Sequence, residues 1–209
     1  MKGVFITFEG IEGSGKSTQM RLLADSLASL GKDCLLTREP GGPPISERIR
    51  DILLDADNHA MLPETEVLLY AASRAQHTGQ WIIPALKEGK IVLCDRYYDS
   101  TSAYQGAARS LNRDFILPLT DFATFHTVPD LTFLLDLPVE QGLARINSRQ
   151  LDRLERESVD FHQRVRQEYL ELATRHAERF TVLDAALSKQ EIHARILDKV
   201  LTQLGVCNA

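Results

Sequence analysis

Short apolar runs alternate along the chain with segments in which apolar residues recur every three or four positions. The runs predict five strands, at Val4–Phe8, Asp33–Thr37, Lys90–Asp95, Leu131–Asp136 and Phe180–Asp184. Each run is nearly continuous in apolar residues, which is typical of strands covered on both faces. Strands that alternate with helical segments favour a parallel sheet. We therefore predict an α/β fold of the doubly wound, three-layer α/β/α type, with five parallel strands and seven to nine helices on both faces.

Capping signals mark where several of these helices begin and end. The first helix begins at Lys16 and ends at Gly31, and the last is opened by a capping box at Ser188. Pro138 suits the first position of a further helix, where its missing N–H costs nothing. Pro118 weakens the helical prediction for residues 113–125.

Composition restricts the class of protein. The chain has 209 residues, of which 44% are hydrophobic and 25% charged, as in ordinary globular proteins. A chain of this length can bury one sizeable core, so we expect a single domain over residues 1–209. The net charge of −5 lacks the basic footprint of a nucleic-acid-binding protein. No apolar run approaches the roughly 20 residues that a membrane-spanning helix needs, and the first strand is too short for a signal-peptide core.

The cysteines indicate a reducing compartment. Cys34, Cys94 and Cys207 are odd in number and far apart, with no Cys-x-x-Cys spacing. This pattern argues against a disulfide or zinc framework. We therefore expect a cytoplasmic protein that binds neither nucleic acid nor membranes.

The first strand runs directly into a glycine-rich loop, residues 10–17, whose sequence Gly-Ile-Glu-Gly-Ser-Gly-Lys-Ser fits the pattern GxxxxGK[ST]. Glycines let successive backbone N–H groups point at phosphate oxygens, and the following helix adds the positive end of its dipole. In this pattern Lys16 reaches the β and γ phosphates, and the Ser17 hydroxyl can ligate magnesium. We expect the whole loop and the neighbouring Thr18 to bind a nucleoside triphosphate; the loop alone does not distinguish kinases from motor ATPases or GTP switches.

Charged residues at strand ends favour an enzyme that transfers a phosphoryl group to a small acceptor. Arg38 follows the second strand and Arg96 follows the third, and parallel strands place their carboxyl ends beside the phosphate loop. An arginine fork can hold a second phosphate, although a surface ion pair is the commoner role of any one arginine. Asp95 closes the third strand, as does the acidic residue that holds magnesium in P-loop enzymes. The sequence has no Asn-Lys-x-Asp, the base reader of a GTP switch.

A second group of arginines follows the helix that Pro138 opens. Arg145, Arg149, Arg153 and Arg156 are spaced by four, four and three residues, so that on a helix they would form one basic stripe. Such a stripe can be a solvated face with i,i+4 ion pairs. It can equally be a lid, at about residues 142–156, that carries arginines to the transferring phosphoryl group and excludes water.

Several motifs, taken in order, resemble the bacterial thymidylate kinases over nearly the whole chain. The most specific are Thr-Arg-Glu-Pro-Gly-Gly at residues 37–42 and Asp-Arg-Tyr at 95–97 with Ser-Thr-Ser-Ala-Tyr-Gln-Gly at 100–106. Phe-Glu-Gly at 8–10, Tyr-Ala-Ala-Ser-Arg-Ala-Gln-His at 70–77 and Leu-Asp-Arg-Leu-Glu at 151–155 accompany them. The resemblance implies a P-loop kinase fold and a homodimer that phosphorylates dTMP to dTDP with Mg-ATP, a step of dTTP biosynthesis.

The resemblance also implies roles for individual residues. Lys16, Arg96, Arg149 and Arg153 would be catalytic, and Ser17 and Asp95 would hold Mg²⁺. ATP would bind to residues of the phosphate loop and of two later segments: Gly10, Ile11, Glu12, Gly13, Ser14, Gly15, Lys16, Ser17, Thr18, Arg145, Asp184 and Ala185. The dTMP pocket would be formed by Glu12, Arg38, Tyr70, Arg74, Arg96, Ser100, Thr101, Tyr104 and Gln105.

Within the family, members that lack a basic residue in the phosphate loop carry lid arginines instead, and Gly13 places this chain in that group. Pro43-Pro44 departs from the usual pattern, which has threonine before the second proline. Three other functions stay open. They are a kinase for a different nucleoside monophosphate, a P-loop ATPase or switch without an acceptor, and a non-catalytic nucleotide-binding protein that keeps the fold.

Overall fold

The computed structural model describes residues 3–146 and 150–206. Within these ranges five strands form one parallel sheet in the order β2-β3-β1-β4-β5. The strands are β1 Val4–Glu9, β2 Cys34–Arg38, β3 Ile91–Asp95, β4 Leu131–Asp136 and β5 Phe180–Asp184. The predicted strands and the α/β class are confirmed, with strand ends shifted by no more than one residue. Because β1 lies at the centre, the loop that follows it opens at the middle of the sheet's carboxyl edge.

Helices cover both faces of the sheet. In the described part of the chain the α-helices are α1 Lys16–Ser29, α2 Pro44–Leu54, α3 Pro63–His77, α4 Ile83–Lys87, α5 Tyr98–Thr101, α6 Arg113–Thr124, α7 Val139–Ile146, α8 Val159–Arg175 and α9 Lys189–Gln203. Two π-helical segments join them: π1, Thr78–Ile82, links α3 to α4, and π2, Ser102–Ala108, continues α5. Among the helices in these ranges, none is long and apolar enough to cross a membrane.

Alternation along the strands divides the core into two layers. Ile6, Phe8 and Leu93 are fully buried against α1, α8 and α9, whereas Phe5 and Val92 are buried on the opposite face of the sheet. Burying a side chain of this size contributes about 1.5–3 kcal/mol. Both faces are therefore apolar, and the polar groups at the strand ends are directed to the carboxyl edge.

The capping signals are confirmed. The Ser188 hydroxyl accepts a hydrogen bond from the Glu191 N–H at 3.2 Å, and the Glu191 carboxylate accepts from the Ser188 N–H at 3.0 Å. Pro138 stands immediately before α7, and its carbonyl oxygen accepts from two N–H groups of the first turn. Residues 113–124 form helix α6 although it contains Pro118. Pro118 is exposed, so water can reach the carbonyl group that it leaves unpaired.

The arginine segment does not form one helix in the described residues. Helix α7 is described as far as Ile146, and residues 150–158 are not helical, with a turn at 153–156 before α8 begins. The cause is local, because Asp152 Oδ1 accepts hydrogen bonds from the N–H groups of Leu154 and Glu155, at 2.9 and 3.0 Å. Such a turn competes with helical hydrogen bonding. The continuous basic stripe is therefore wrong for this part of the chain; Arg149 lies outside the described residues, and the lid stays a prediction.

Candidate active site

A cavity of about 480 Å³ opens at the carboxyl edge of the sheet, beyond the ends of β1, β2 and β3. Its lining brings together residues that are far apart in the chain. Of the predicted site residues it includes Glu12, Gly13, Gly15, Lys16, Ser17, Thr18, Arg38, Tyr70, Arg74, Asp95, Arg96, Ser100, Thr101, Tyr104, Gln105 and Arg145. One half is formed by the phosphate loop and the other half by α3, the loop after β3, and π2. The arrangement offers two adjoining anion-binding regions.

The phosphate loop is packed tightly against α7. Gly13 has φ of 72°, and a Cβ atom placed there would lie 2.3 Å from the carbonyl oxygen of Gly142. A Cβ on Gly142 would in turn lie 2.5 Å from the carbonyl oxygen of Glu12. Both positions therefore require glycine for close backbone approach. A basic side chain at position 13 is excluded in this packing, so positive charge near the γ-phosphate beyond that of Lys16 has to come from other elements.

The Lys16 side chain folds back into the phosphate loop. Its Nζ donates hydrogen bonds to the carbonyl oxygens of Gly10 and Ile11, at 3.0 and 2.8 Å, and lies 3.4 Å from Ser14 Oγ. Burial and the nearby Arg96 lower the pKa of Lys16 to about 8. The ammonium group is thus held at the loop's centre, where phosphate oxygens bind in this motif.

The predicted metal ligands are adjacent. Ser17 Oγ donates to Asp95 Oδ2 at 2.5 Å, which joins the start of α1 to the end of β3. A hydroxyl and a carboxylate oxygen are suitable ligands for a hard cation such as Mg²⁺, which usually keeps several waters and takes its other ligands from substrate phosphates. Within the described residues no group of three or more His, Cys, Asp or Glu side chains could hold a metal. The pair fits a phosphate-bridged ion rather than a metal cage built from protein alone.

Arg96 stands at the boundary between the two halves of the cavity. It adopts φ of 70°, which is uncommon for a residue with a side chain, and its N–H donates to the carbonyl oxygen of Phe8 at 2.9 Å. Its Nη2 donates to Glu12 Oε1 at 2.8 Å, and its Nη1 donates to the Tyr169 hydroxyl at 3.1 Å. The guanidinium is 17% exposed. A strained backbone and fixed partners aim this cation into the cavity.

Glu9, at the end of β1, organises the loop that carries Arg96. Its carboxylate accepts hydrogen bonds from the Tyr97 N–H at 2.7 Å, the Ser100 hydroxyl at 2.7 Å and the Tyr169 hydroxyl at 2.8 Å. Burial, together with the charge of Asp99, raises the pKa of Glu9 to about 7. Glu9 and Tyr169 were not among the predicted site residues. The signal for Glu9 was a carboxylate closing an apolar strand, whereas Tyr169 belonged to a helical apolar stripe that predicts only packing.

Arg74 is held rigidly on α3. It is 2% exposed, and its Nε donates to Glu39 Oε2 at 2.7 Å while its Nη1 donates to Thr101 Oγ1 at 2.9 Å. His77 lies 2.9 Å from the other oxygen of the same Glu39 carboxylate. Tyr70, one turn earlier on α3, also lines the cavity. An aromatic face and a fixed guanidinium edge thus share one wall, which suits a planar base.

Tyr104 and Gln105 of π2 complete that side of the cavity. The Tyr104 hydroxyl donates to Glu12 Oε1 at 2.7 Å, and the Arg96 guanidinium lies 5.1 Å from the centre of the Tyr104 ring. Gln105 is 1% exposed, and its Nε2 donates to Glu66 Oε1 at 2.7 Å. Burial tends to raise the pKa of Glu12, but the charges of Arg96 and Lys16 outweigh it and hold the pKa below its ordinary value.

The segment after β5 is connected to the phosphate loop through Arg145. The Arg145 Nη1 donates to the Gly13 carbonyl oxygen at 3.1 Å, and its Nη2 donates to the Ala185 carbonyl oxygen at 3.3 Å. Asp184 accepts from the Ala186 N–H at 2.9 Å and so fixes the turn after the strand. Arg145 therefore spans the gap between the loop and the predicted adenine segment, although Asp184 and Ala185 themselves lie outside the cavity lining.

Arg153 occupies a different place from the one that a γ-phosphate contact requires. Its guanidinium is 8% exposed; Nη1 donates to Glu66 Oε2 at 2.6 Å and Nε donates to the Leu53 carbonyl oxygen at 2.9 Å. Reaching a phosphoryl group would require this buried pair to open. The catalytic role of Arg153 stays a prediction, as does that of Arg149, which lies outside the described residues.

Arg38 is half exposed and pairs with Glu47 of α2 at 3.0 Å. The same Glu47 carboxylate accepts from the Gly42 N–H at 2.6 Å, which fixes the loop just before Pro43. Pro44 stands at the first position of α2, where a proline is favourable. The unusual Pro43-Pro44 pair is therefore compatible with an ordered loop beside Arg38.

These features define a P-loop nucleotide-binding protein of the kinase type. They are a parallel sheet with a glycine loop between β1 and α1, a Ser–Asp pair for a cation, and arginines that face a second anion region. A profile of the thymidylate kinase family matches residues 8–196. The chain belongs to the thymidylate kinase family.

Individual relatives agree with this assignment. The chain is 51% identical to a thymidylate kinase of Trichlorobacter lovleyi, over 97% of this chain and 99% of that protein. It is 52% identical to one of Geobacter sulfurreducens, over 97% and 98% of the two chains. The crystal structure of thymidylate kinase from Ehrlichia chaffeensis superposes with a TM-score of 0.79 and 31% identity, covering 96% of this chain and 100% of that one. The fold and the enzyme class predicted from the sequence are thereby confirmed.

Proposed function

We propose that the protein transfers the γ-phosphoryl group of ATP to dTMP, giving dTDP and ADP, in the pathway to dTTP. The observation that carries this proposal is one cavity in which the Lys16 loop faces Arg96, Arg74 and Tyr70. A triphosphate on the loop and a nucleoside monophosphate on the other wall would present their phosphates to each other. Family membership at about half identity over the full chain supports the same reaction.

On the acceptor side, Arg96 and Arg38 would hold the phosphate and Arg74 would donate to the thymine edge. Tyr70 offers a ring face for stacking, and Tyr104 crowds the place of a sugar 2′-hydroxyl. Ser100, Thr101, Gln105 and Glu12 would complete the pocket. Arg38 is the most exposed of these residues, and its ion pair with Glu47 contributes little to stability, so it is readily available to a phosphate.

On the donor side, the loop residues and Lys16 would bind the phosphates, and Arg145 with the Asp184–Ala185 turn would lie toward the adenine. Ser17 and Asp95 would hold Mg²⁺, which neutralises phosphate charge and orients the oxygens when it is bound. Arg149 and Arg153 would bring further positive charge from the lid. The predicted lid at about residues 142–156 supplies these groups.

The chemistry needs no strong base, since the acceptor phosphate is itself the nucleophile. Lys16 and the lid arginines would stabilise charge on the transferring group, while Arg96 and Arg38 hold the attacking oxygen in line. Fixed cations of this kind act without reorganisation during the reaction. Closure over the cavity would exclude water, which otherwise competes with the acceptor.

We also propose that the enzyme is a cytoplasmic homodimer. Helices α3 and α6 expose large apolar side chains, with Leu68 50%, Phe115 49%, Leu117 62% and Phe122 79% exposed. An exposed apolar face of this kind marks an interaction surface, and a second copy of the chain would bury it. Light scattering at micromolar concentration should give twice the 23.5 kDa chain mass.

The test is ADP formation with Mg-ATP and, in turn, dTMP, dUMP, dCMP, dGMP, AMP and no acceptor. Strong dependence on dTMP is expected, with dUMP second because one methyl group is worth only about 1–3 kcal/mol in an apolar pocket. Equal ADP release without an acceptor would refute phosphoryl transfer and favour an ATPase. Preference for another monophosphate would refute the assignment of the Tyr70 and Arg74 wall.

A further inference from the structure

His162 of α8 is a buried histidine whose ring makes no hydrogen bond with any described residue. It is 1% exposed, and among the described residues neither of its ring nitrogens has a hydrogen-bond partner. Buried polar groups are nearly always paired, so such a residue calls for an explanation in terms of function. Its surroundings supply one, because the ring lies beside Glu12, which lines the cavity.

The nearest charged group is Glu12 of the phosphate loop. His162 Nδ1 lies 3.6 Å from Glu12 Oε2, which is itself buried and has no hydrogen-bond partner in the described part of the chain. The other oxygen of this carboxylate, Oε1, accepts from Arg96 Nη2 and from the Tyr104 hydroxyl. The two unpaired atoms therefore face each other just beyond hydrogen-bond distance.

The charged and titratable groups around this pair come from several elements. Lys16 of α1 and Arg96 of the loop after β3 act on Glu12 electrostatically, and Tyr104 of π2 donates to it. Arg109, which follows π2, lies over the ring of the neighbouring Phe161 at 4.8 Å. Within the described residues, Glu12 is the one acidic partner that the structure gives His162.

Acceptor binding changes the balance at Glu12. If Arg96 holds an acceptor phosphate with both of its Nη atoms, its hydrogen bond to Glu12 Oε1 is lost or shared. Glu12, which is only 12% exposed, would then be a buried carboxylate without its charged partner, close to an incoming dianion. A buried charge that loses its partner is strongly destabilising. Lys16 still acts on Glu12 through its charge, but its ammonium group is hydrogen-bonded to the loop carbonyls. A cation beside Oε2 would replace the lost hydrogen bond, and His162 is in position to supply it.

We propose that His162 is a positioning residue that takes up a proton when the acceptor binds and replaces Arg96 as the charged partner of Glu12. In this step one proton moves from solvent to the imidazole, the Nδ1–H donates to Glu12 Oε2, and the bond from Arg96 Nη2 to Glu12 Oε1 breaks. No electrons are transferred. Histidine suits this task because its ordinary titration lies closest to neutral pH. The inference rests on the proposed binding of a nucleoside monophosphate at Arg96.

Calorimetry tests the proton directly. Titrating dTMP into the protein at pH 7 in two buffers with different heats of protonation gives the number of protons taken up. For the wild type we expect a net uptake that falls by about half a proton or more in His162→Asn. His193→Gln is the matched control, since His193 also has an unpaired Nδ1 but lies between α9 and α1 against Ser26. Its proton count should equal that of the wild type.

Kinetics separates the hydrogen bond from the charge. His162→Phe should raise the KM for dTMP about tenfold, the value of one lost hydrogen bond, without changing the KM for ATP. His162→Asn should restore much of that KM, because its amide can donate to Glu12 Oε2, but it should not restore the proton uptake. A role in packing alone would affect both substrates and leave the proton count unchanged.

Equal proton counts in the wild type and His162→Asn would overturn the inference while leaving the kinase assignment intact. Absence of dTMP binding or phosphorylation in the wild type would overturn both. The difference from a His162 variant decides, because Glu9 and Lys16, with pKa values of about 7 and about 8, can also take up protons near neutral pH. If His162→Asn does not fold, His162→Phe gives the same comparison of proton counts.

Discussion

Replacing Glu66 by Gln perturbs the hydrogen-bonded contact between α3, π2 and the predicted lid. The Glu66 carboxylate is 1% exposed and accepts hydrogen bonds from Arg153 at 2.6 Å, Gln105 at 2.7 Å and Arg109 at 3.1 Å. The glutamine amide would keep one acceptor oxygen and direct N–H groups at other donors. Removing one partner of a buried pair costs about 3 kcal/mol or more. For a chain of this size a loss of 3 kcal/mol corresponds to a fall in Tm of about 6–12 °C.

Urea unfolding followed by circular dichroism measures this free energy. Glu47→Gln is the matched control, since it removes the charge that pairs with the half-exposed Arg38 while its Oε1 can still accept from the Gly42 N–H, and it should cost about 1 kcal/mol or less. The reasoning would be refuted by equal unfolding free energies for the two variants at pH 7. It would then follow that the described packing around Arg153 does not persist in solution.

The pH dependence of the unfolding free energy tests the same prediction a second time. Burial acts to raise the pKa of Glu66, but the hydrogen bonds from Arg109 and Gln105 outweigh it, so the pKa lies below its ordinary value of 4.5. The stabilisation is therefore complete above that value, where the carboxylate is charged in both states. It is lost as the pH falls through the pKa of the folded state. The difference between wild type and Glu66→Gln should narrow below pH 4.5, and a constant difference would contradict the assignment.

The remaining predictions concern the reaction. Arg96→Ala should lower kcat/KM for dTMP at least about a hundredfold without unfolding, because a charge-assisted phosphate contact is lost; unchanged activity would exclude its role. Lys16→Ala should lose a similar factor in turnover, and since the ammonium is the active form, kcat/KM for ATP should fall as the pH rises through about 8. Arg153→Ala should reduce turnover far more than dTMP affinity if it reaches the phosphoryl group, and the reverse pattern would make it an anchor. Gly142→Ala places a Cβ 2.5 Å from the Glu12 carbonyl oxygen and should raise the KM for ATP, with an unchanged KM showing that α7 can move away.

Local features of this protein could be predicted because their causes are local. Runs of apolar residues become strands wherever both faces are covered, and the glycine pattern of residues 10–17 has no common alternative to a phosphate loop. Pro118 disfavours a helix over residues 113–124 because proline lacks a backbone N–H. Whether a helix tolerates such a proline depends on whether the proline faces solvent, which the sequence does not show. The predicted helical stripe of arginines is wrong because a local hydrogen-bonded turn, which spacing does not reveal, interrupts the helix. A single side-chain turn at Asp152 ended a pattern that spacing alone would continue.

Long-range pairs could not be predicted from the sequence. Glu9 and Tyr169 are separated by 160 residues and yet share a hydrogen bond, as do Glu66 and Arg153 across 87 residues. Periodicity places Tyr169 and His162 on the apolar side of a helix, where the ordinary interpretation is packing. Only the topology shows that this side of α8 faces the loop that carries Arg96. The charged lining of the pocket is predictable as a set of residue types, whereas its pairing is a property of the fold.

That pairing constrains how the acceptor is bound. Four arginines of the predicted acceptor and lid groups already form ion pairs with glutamates. The pairs are Arg38–Glu47, Arg74–Glu39, Arg96–Glu12 and Arg153–Glu66. A dianion must therefore compete with carboxylates rather than meet free cations. The cost of competing depends on burial, since only an exposed partner is resolvated by water when it is released. Arg74 and Glu39 are almost fully buried, so we expect that pair to stay closed and to present its outer N–H groups to the base. The phosphate draws on Arg38, whose partner is partly exposed, and on Arg96, whose buried partner Glu12 is compensated by His162 in the proposal above.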